Sequence, residues 1–182
     1  GLTKAGDGLL KLTNVGNTYT GTTTISRGTL VITSNDALGD DNSAVVVTGS
    51  ATRGLGGGSL VLDGTSANIT LSRNLSLQGY GPITDRSSAL VSVGNNTLAG
   101  VVTMAEPTAG ANDNTRITSA NGMLTLSATS TLNVQGTAVT TFSIFGGTNQ
   151  AGAPAYAVAG TLSGTGSFEK TGAGTLFWNP SN

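Results

Sequence analysis

General acid–base chemistry in this chain would have to run on carboxylates. The sequence of 182 residues contains no His and no Cys. That excludes Ser-His-Asp and Cys-His nucleophile arrangements and the usual zinc sites. The nine acids are Asp7, Asp36, Asp40, Asp41, Asp63, Asp85, Asp113, Glu106 and Glu169. Carboxylates facing one another across a cleft could hydrolyse a glycosidic bond. These acids fall mostly in turn-like contexts, where Asx side chains bond their own backbone. Asp36, Asp40, Asp41 and Asn42 could place several oxygens on a calcium ion. Their spacing matches neither an EF-hand loop nor the Gly-rich calcium nonapeptide. The stretch Gly54 to Gly58 lacks the helix that must follow a phosphate loop. Asn68, Asn74 and Asn95 each open an Asn-x-Ser/Thr triplet, read as coincidence in a chain rich in these types. Tyr19, Tyr80, Tyr156 and Trp178 could line a glycan-binding face, but Tyr19 and Trp178 sit in a recurring motif, which favours packing. No catalytic, cofactor-binding or metal-ligating residue is assigned.

Composition narrows the field further. Charged residues make up 9% of the chain, against about 25% in an ordinary soluble domain. The net charge is −1 with no basic stripe, which argues against a nucleic-acid surface. No apolar run reaches the ~18 residues of a spanning helix, so no membrane insertion by this segment is expected. Leu, Val, Ile and Ala are plentiful enough for a core, unlike in a disordered chain. Thr and Val favour strands, and 28 Gly supply tight turns between them.

The elements that would position any site are short strands. A phrase of Gly, any residue, apolar, any residue, apolar recurs at Gly8–Leu12, Gly28–Ile32, Gly58–Leu62, Gly122–Leu126 and Gly174–Trp178. A weaker copy is Ala89–Val93. Alternation of this kind marks half-buried strands. Further candidates are Thr22–Ser26, Ala44–Thr48, Asn68–Leu71, Asn74–Leu77, Thr97–Val102, Thr131–Val134 and Val139–Ile144. The copies are unevenly spaced, which suits a parallel β-helix better than a propeller, whose blades repeat every ~40–45 residues. Two or three strands per coil give about six or seven coils, a rod on the order of 30 Å long at ~4.8 Å per coil. Leu10, Leu30, Leu60, Leu124 and Leu176 are expected to form one column, with Val91 in register beside them. Loops rich in Gly, Pro, Asn and Asp, including Asn35–Asn42, Gly79–Arg86 and Glu106–Asn114, are expected to bulge outward. No domain boundary is visible across residues 1–182.

A longer repeat frames the whole chain. Lys4, Gly6, Gly8 and Leu10 return as Lys170, Gly172, Gly174 and Leu176, 166 residues on in each case. The segment reads as one 166-residue period plus the start of the next, cut from an array. Repeat units stack because one alone cannot bury its apolar face.

Leu2-Thr3-Lys4-Ala5-Gly6-Asp7-Gly8-Leu9-Leu10, then Asn17-Thr18-Tyr19-Thr20-Gly21, then Thr23 to Leu30 resemble the passenger-associated β-strand repeat of bacterial autotransporters. Lys170 to Leu176 begins a second copy. Asp7 departs from the small residue more usual between the two glycines. The resemblance implies a right-handed parallel β-helix in a secreted or surface-displayed bacterial protein, commonly exported through an outer-membrane barrel. The expected role is a non-catalytic structural rod, an adhesin stalk or a self-assembling extracellular fibre. Copies of itself stacked head-to-tail are the expected partners, with cell-surface glycans or host surfaces as further ones and no cofactor. The alternative is a β-helix carbohydrate-active protein, either a polysaccharide hydrolase or a glycan-binding module.

Overall fold

In the computed structural model the chain is all-β, and among the described residues nineteen strands form three parallel sheets. The structure describes residues 1–39, 43–52, 55–82, 88–105, 114–136, 139–144 and 154–178. The first sheet holds β1 (Leu2–Lys4), β3 (Thr23–Ile25), β5 (Val45–Val47), β8 (Leu75–Gln78), β11 (Val102–Ala105), β14 (Thr131–Val134) and β17 (Thr161–Gly164), in that order. The second runs β2 (Leu9–Leu12), β4 (Gly28–Ile32), β6 (Gly58–Gly64), β9 (Leu90–Gly94), β12 (Thr115–Asn121), β15 (Val139–Ile144) and β18 (Ser167–Thr171). The third runs β7 (Thr70–Leu71), β10 (Asn96–Leu98), β13 (Leu124–Leu126), β16 (Pro154–Val158) and β19 (Thr175–Trp178). The chain visits the sheets in turn and comes back one strand further along each time. That path is a parallel β-solenoid.

Strands this short cannot hold together alone. Each gains its partners from the coil before and the coil after, so the backbone groups are paired along the rod axis. In-register stacking then turns alternation within a strand into columns between coils. On the first sheet Ile25, Val47, Leu77, Met104 and Val134 stand opposite one another, all fully buried. On the second the column is Leu10, Leu30, Leu60, Leu90 and Ile117. On the third it is Leu71, Leu98, Leu126 and Val158. These columns meet in a single core.

Several expectations need correction. Leu124 and Leu176 are not in the column of Leu10, Leu30 and Leu60; they face the core from the third sheet. Leu60 pairs with Leu90, and Val91 with Val61, one residue off the expected alignment. Thr97–Val102 is two strands, because the chain turns a corner through Gly100, where a Cβ would lie 2.2 Å from Arg73 O. Within the segment Asn35–Asn42 the described residues do not simply bulge outward: Ala37 and Leu38 are fully buried. The third sheet begins only at β7, so this loop fills the missing side of the core beside the early coils.

Replacing Leu60 by Ala is expected to cost about 2–5 kcal/mol in urea unfolding, because the side chain is wholly enclosed. Leu9→Ala, on the same sheet but 65% exposed, should change stability by no more than about 0.5 kcal/mol.

Candidate functional site

The four described acids are Asp7, Asp36, Asp63 and Glu169, and they stand in different coils. Among the described residues no group of three His, Cys, Asp or Glu side chains is placed to hold a metal ion. Asp40, Asp41, Asp85, Glu106, Asp113 and Asn42 lie outside the described residues. Asp7 forms a two-pronged ion pair with Arg27, whose guanidinium holds the carboxyl below the ordinary Asp range. Asp63 accepts from the Thr65 hydroxyl at 2.7 Å and from Lys11 Nζ at 3.1 Å. The Thr65 hydroxyl is the main reason its carboxyl is also held low, with Lys11 adding to it. Asp7 and Asp63 therefore each tie one coil to another. Tyr19 and Tyr80 do not share a face. Tyr19 Oη bonds Thr23 Oγ1 at 2.8 Å, and Tyr80 lies beneath the Arg116 guanidinium at 6.0 Å.

The organised constellation in this protein is the corner between β1 and β2. Lys4 ends the inward column of the first sheet, one coil before Ile25. A cation there would be costly unless every N–H found an acceptor. Its ammonium donates to Ala5 O at 3.1 Å, Gly6 O at 2.7 Å and Arg27 O at 3.0 Å. The first two carbonyls belong to its own turn and the third comes from the next coil. Gly6 sits at φ 76°, the left-handed region that lets the turn fold back over the ammonium.

The next coil closes down on this corner through Gly28, whose φ is 72°. A Cβ there would fall 2.3 Å from Gly6 O, 2.5 Å from Gly8 O and 2.7 Å from Lys4 Nζ. Only glycine lets Arg27 O reach the ammonium while Thr29 N bonds Gly8 O at 3.2 Å. Ser26 N completes the clasp on Lys4 O at 2.9 Å. Outside it, the Arg27–Asp7 ion pair spans the same two coils. Asn17 adds a second tie, donating from Nδ2 to Ala37 O at 2.8 Å. Lys4, Gly6, Arg27 and Gly28 thus meet in one hydrogen-bonded corner. It takes two coils to complete it.

Residues 2–32 match the family model Passenger-associated-transport-repeat. The likeness to this repeat covers residues 2–32 alone. The match spans β1 to β4, the same two coils that build the Lys4 corner. No curated protein and no solved structure matches the chain.

The second appearance of the motif shows half of the same device. Gly172 has φ 80°, as Gly6 has 76°, and Lys170 Nζ donates to Gly172 O at 2.5 Å. Lys170 is exposed, whereas Lys4 is buried. The two copies also sit on different faces. Lys4 belongs to the first sheet, but Lys170 lies on the second, ending the column that Leu10 begins.

Sequence reading missed one further cation. Arg73 is fully buried between coils, donating to Ser43 O at 3.1 Å and Gly39 O at 2.6 Å. It joins Gly39 and Ser43 in the segment whose Ala37 and Leu38 enter the core. No motif announces it, because Ser72-Arg73-Asn74 reads as an ordinary polar turn.

Lys4→Met is expected to cost about 1–3 kcal/mol in urea unfolding, because it strips the charged donor from partly buried carbonyls. Lys170→Met should stay within about 0.5 kcal/mol. Gly28→Ala is expected to lose at least about 1–2 kcal/mol from the left-handed backbone alone, before the clash with Gly6 O. Asp63 supplies the pH dependence. Its folded-state pKa lies below the unfolded value, so its contribution is present above the ordinary Asp pKa and lost as pH falls through the folded value. Asp63→Asn should lower stability at pH 7 by no more than about 1 kcal/mol, discounted for partial exposure. The gap between the two proteins should close below about pH 3.9 in acid titrations of thermal unfolding.

Proposed function

We propose that this chain is a structural rod segment of a secreted or cell-surface bacterial protein, acting as a spacer or fibre element and not as a catalyst. One observation carries the reading: parallel ladders run unbroken through two seven-stranded sheets around one apolar core, and a passenger-associated repeat opens them. A solenoid of this kind has its mechanical axis along the hydrogen bonds of every coil. Pulling its ends apart must break several ladders at once, so it transmits force and keeps distance. The charged side chains that are described support this reading, since Lys4, Arg73, the Arg27–Asp7 pair and the Lys11–Asp63 pair all tie coil to coil or loop to coil. Neighbouring solenoid segments are the partners this role requires.

Two measurements test the proposal. Native-state hydrogen exchange should show the first and second sheets protected as one cooperative unit from Thr23 to Val134, with protection falling toward both end coils. Independently fraying blocks in the middle of the rod would refute a continuous mechanical element. In parallel, incubation with a panel of bacterial and host polysaccharides should release no reducing ends. Release that Asp63→Asn or Glu169→Gln abolishes would replace the rod with a hydrolase.

A further inference from the structure

Three Asn-x-Ser/Thr triplets, at Asn68, Asn74 and Asn95, have the acceptor pattern of N-linked glycosylation. They look alike in sequence, and the fold makes them unlike. In each the middle residue, Ile69, Leu75 or Asn96, is buried, so the residues on either side of it stand on the outer face. What differs is what holds the asparagine amide and the hydroxyl two residues on. Asn74 and Asn95 are braces. Asn74 Oδ1 accepts from Val101 N at 3.0 Å and Asn95 Oδ1 from Met123 N at 2.9 Å, each in the following coil. Their hydroxyl partners lie in mid-sheet. Ser76 stands between Val46 and Thr103, and Thr97 between Thr70 and Thr125, with strands on both sides. To present either triplet to another protein the chain must give up a corner bond and a ladder on each side.

Asn68 is placed differently. Residues 65–69 separate β6 from β7, whereas Asn95 alone separates β9 from β10. Thr65, Ser66, Ala67 and Asn68 of this longer turn are all exposed. The turn holds its shape without Asn68: Asp63 Oδ1 accepts from the Thr65 hydroxyl at 2.7 Å and from Thr65 N at 3.4 Å. Among the described residues the Asn68 amide has no hydrogen-bond partner. Thr70, also exposed, belongs to β7, the shortest described strand and the edge of the third sheet. β7 pairs with β10 on one side only. Opening there costs one short ladder and the bond from Thr70 N to Asn35 Oδ1 at 2.7 Å. The fold thus leaves one of the three triplets free at its amide and loosely held at its hydroxyl.

We propose that Asn68 is an acceptor site for N-linked glycosylation, with a sugar diphosphate as the co-substrate. Asn68 Nδ2 attacks the anomeric carbon of the sugar. The C–N bond forms as the C–O bond to the diphosphate breaks. The diphosphate leaves with the bonding pair, and one amide proton passes to a base on the transferase. The exposed Thr70 hydroxyl is the group by which the transferase reads the triplet. The sugar then stands off the corner between the second and third sheets, where it displaces no bond of the fold.

The experiment offers the folded chain to two transferases that recognise such triplets. One is soluble and supplied with UDP-glucose; the other is membrane-bound and supplied with a polyprenyl-diphosphate oligosaccharide. Peptide mapping by mass locates the sugar, and synthetic peptides spanning each triplet give the rates without a fold. In at least one arm the folded chain should be modified at Asn68 roughly tenfold or more faster than at Asn74 or Asn95, beyond any difference among the peptides, because only Asn68 escapes the cost of opening two ladders. The arm that works identifies the donor. Asn68→Gln and Thr70→Ala should each abolish the modification, and Asn68→Gln should leave thermal unfolding unchanged. No sugar on Asn68 of the folded chain in either arm overturns the proposal. Labelling of Asn74 or Asn95 as fast as Asn68 in the folded chain also overturns it, because the braces would then select nothing.

Discussion

Every feature of this protein answers to the parallel ladder between coils. A strand of three or four residues has no partner within its own coil. Its N–H and C=O groups are met only if the next coil lies directly above it, in register, at the spacing of a parallel sheet. That requirement fixes side-chain columns, since a slip of one residue would send each apolar set to the outer face. It explains why Leu30, Leu60 and Leu90 line up although their loops differ in sequence and content. Loop length is free because loops lie outside the ladder; strand register is not.

The corners are where the ladder is hardest to continue, and there the scarce charges are used. Lys4 turns a potential defect, an ammonium at the end of an apolar column, into a knot of three carbonyl bonds joining two coils. Arg73 does the same for the loop that covers the third side of the early core. Asn side chains carry the lighter version: Asn35, Asn74 and Asn95 accept from Thr70 N, Val101 N and Met123 N in the coil above. Buried Asn96 joins Ile69 N to Leu62 O and Val93 O. A chain with 9% charged residues spends several of them on backbone groups.

The family repeat acquires a physical definition from this geometry. Its matched span, residues 2–32, contains both the Lys4 ammonium and the Arg27–Gly28 bend that encloses it. One coil supplies only the ammonium and the carbonyls of its own turn, such as Gly172 O for Lys170. The repeat is thus a joint between two coils. The motif's first strand lies on the first sheet at Lys4 and on the second at Lys170.

The sequence alone was enough for the class of fold, for most of the strands, and for the motif that joins the coils. The alternation in Gly28–Ile32 and Gly58–Leu62 is a local property, because side chains in a strand point to opposite faces whatever the strand packs against. Absence of His and Cys removed whole classes of chemistry by inspection. Tertiary structure decided which sheet each strand joins. Leu124 and Leu60 sit in the same phrase yet on different sheets, and Lys4 and Lys170 share a motif yet face different sides. The same holds for the burial of Ala37, Leu38 and Arg73, which depends on a third sheet that starts late. The reason is closure of the coil: a strand's face is set by how far the chain has travelled around the core, a sum over all preceding corners that no local pattern records.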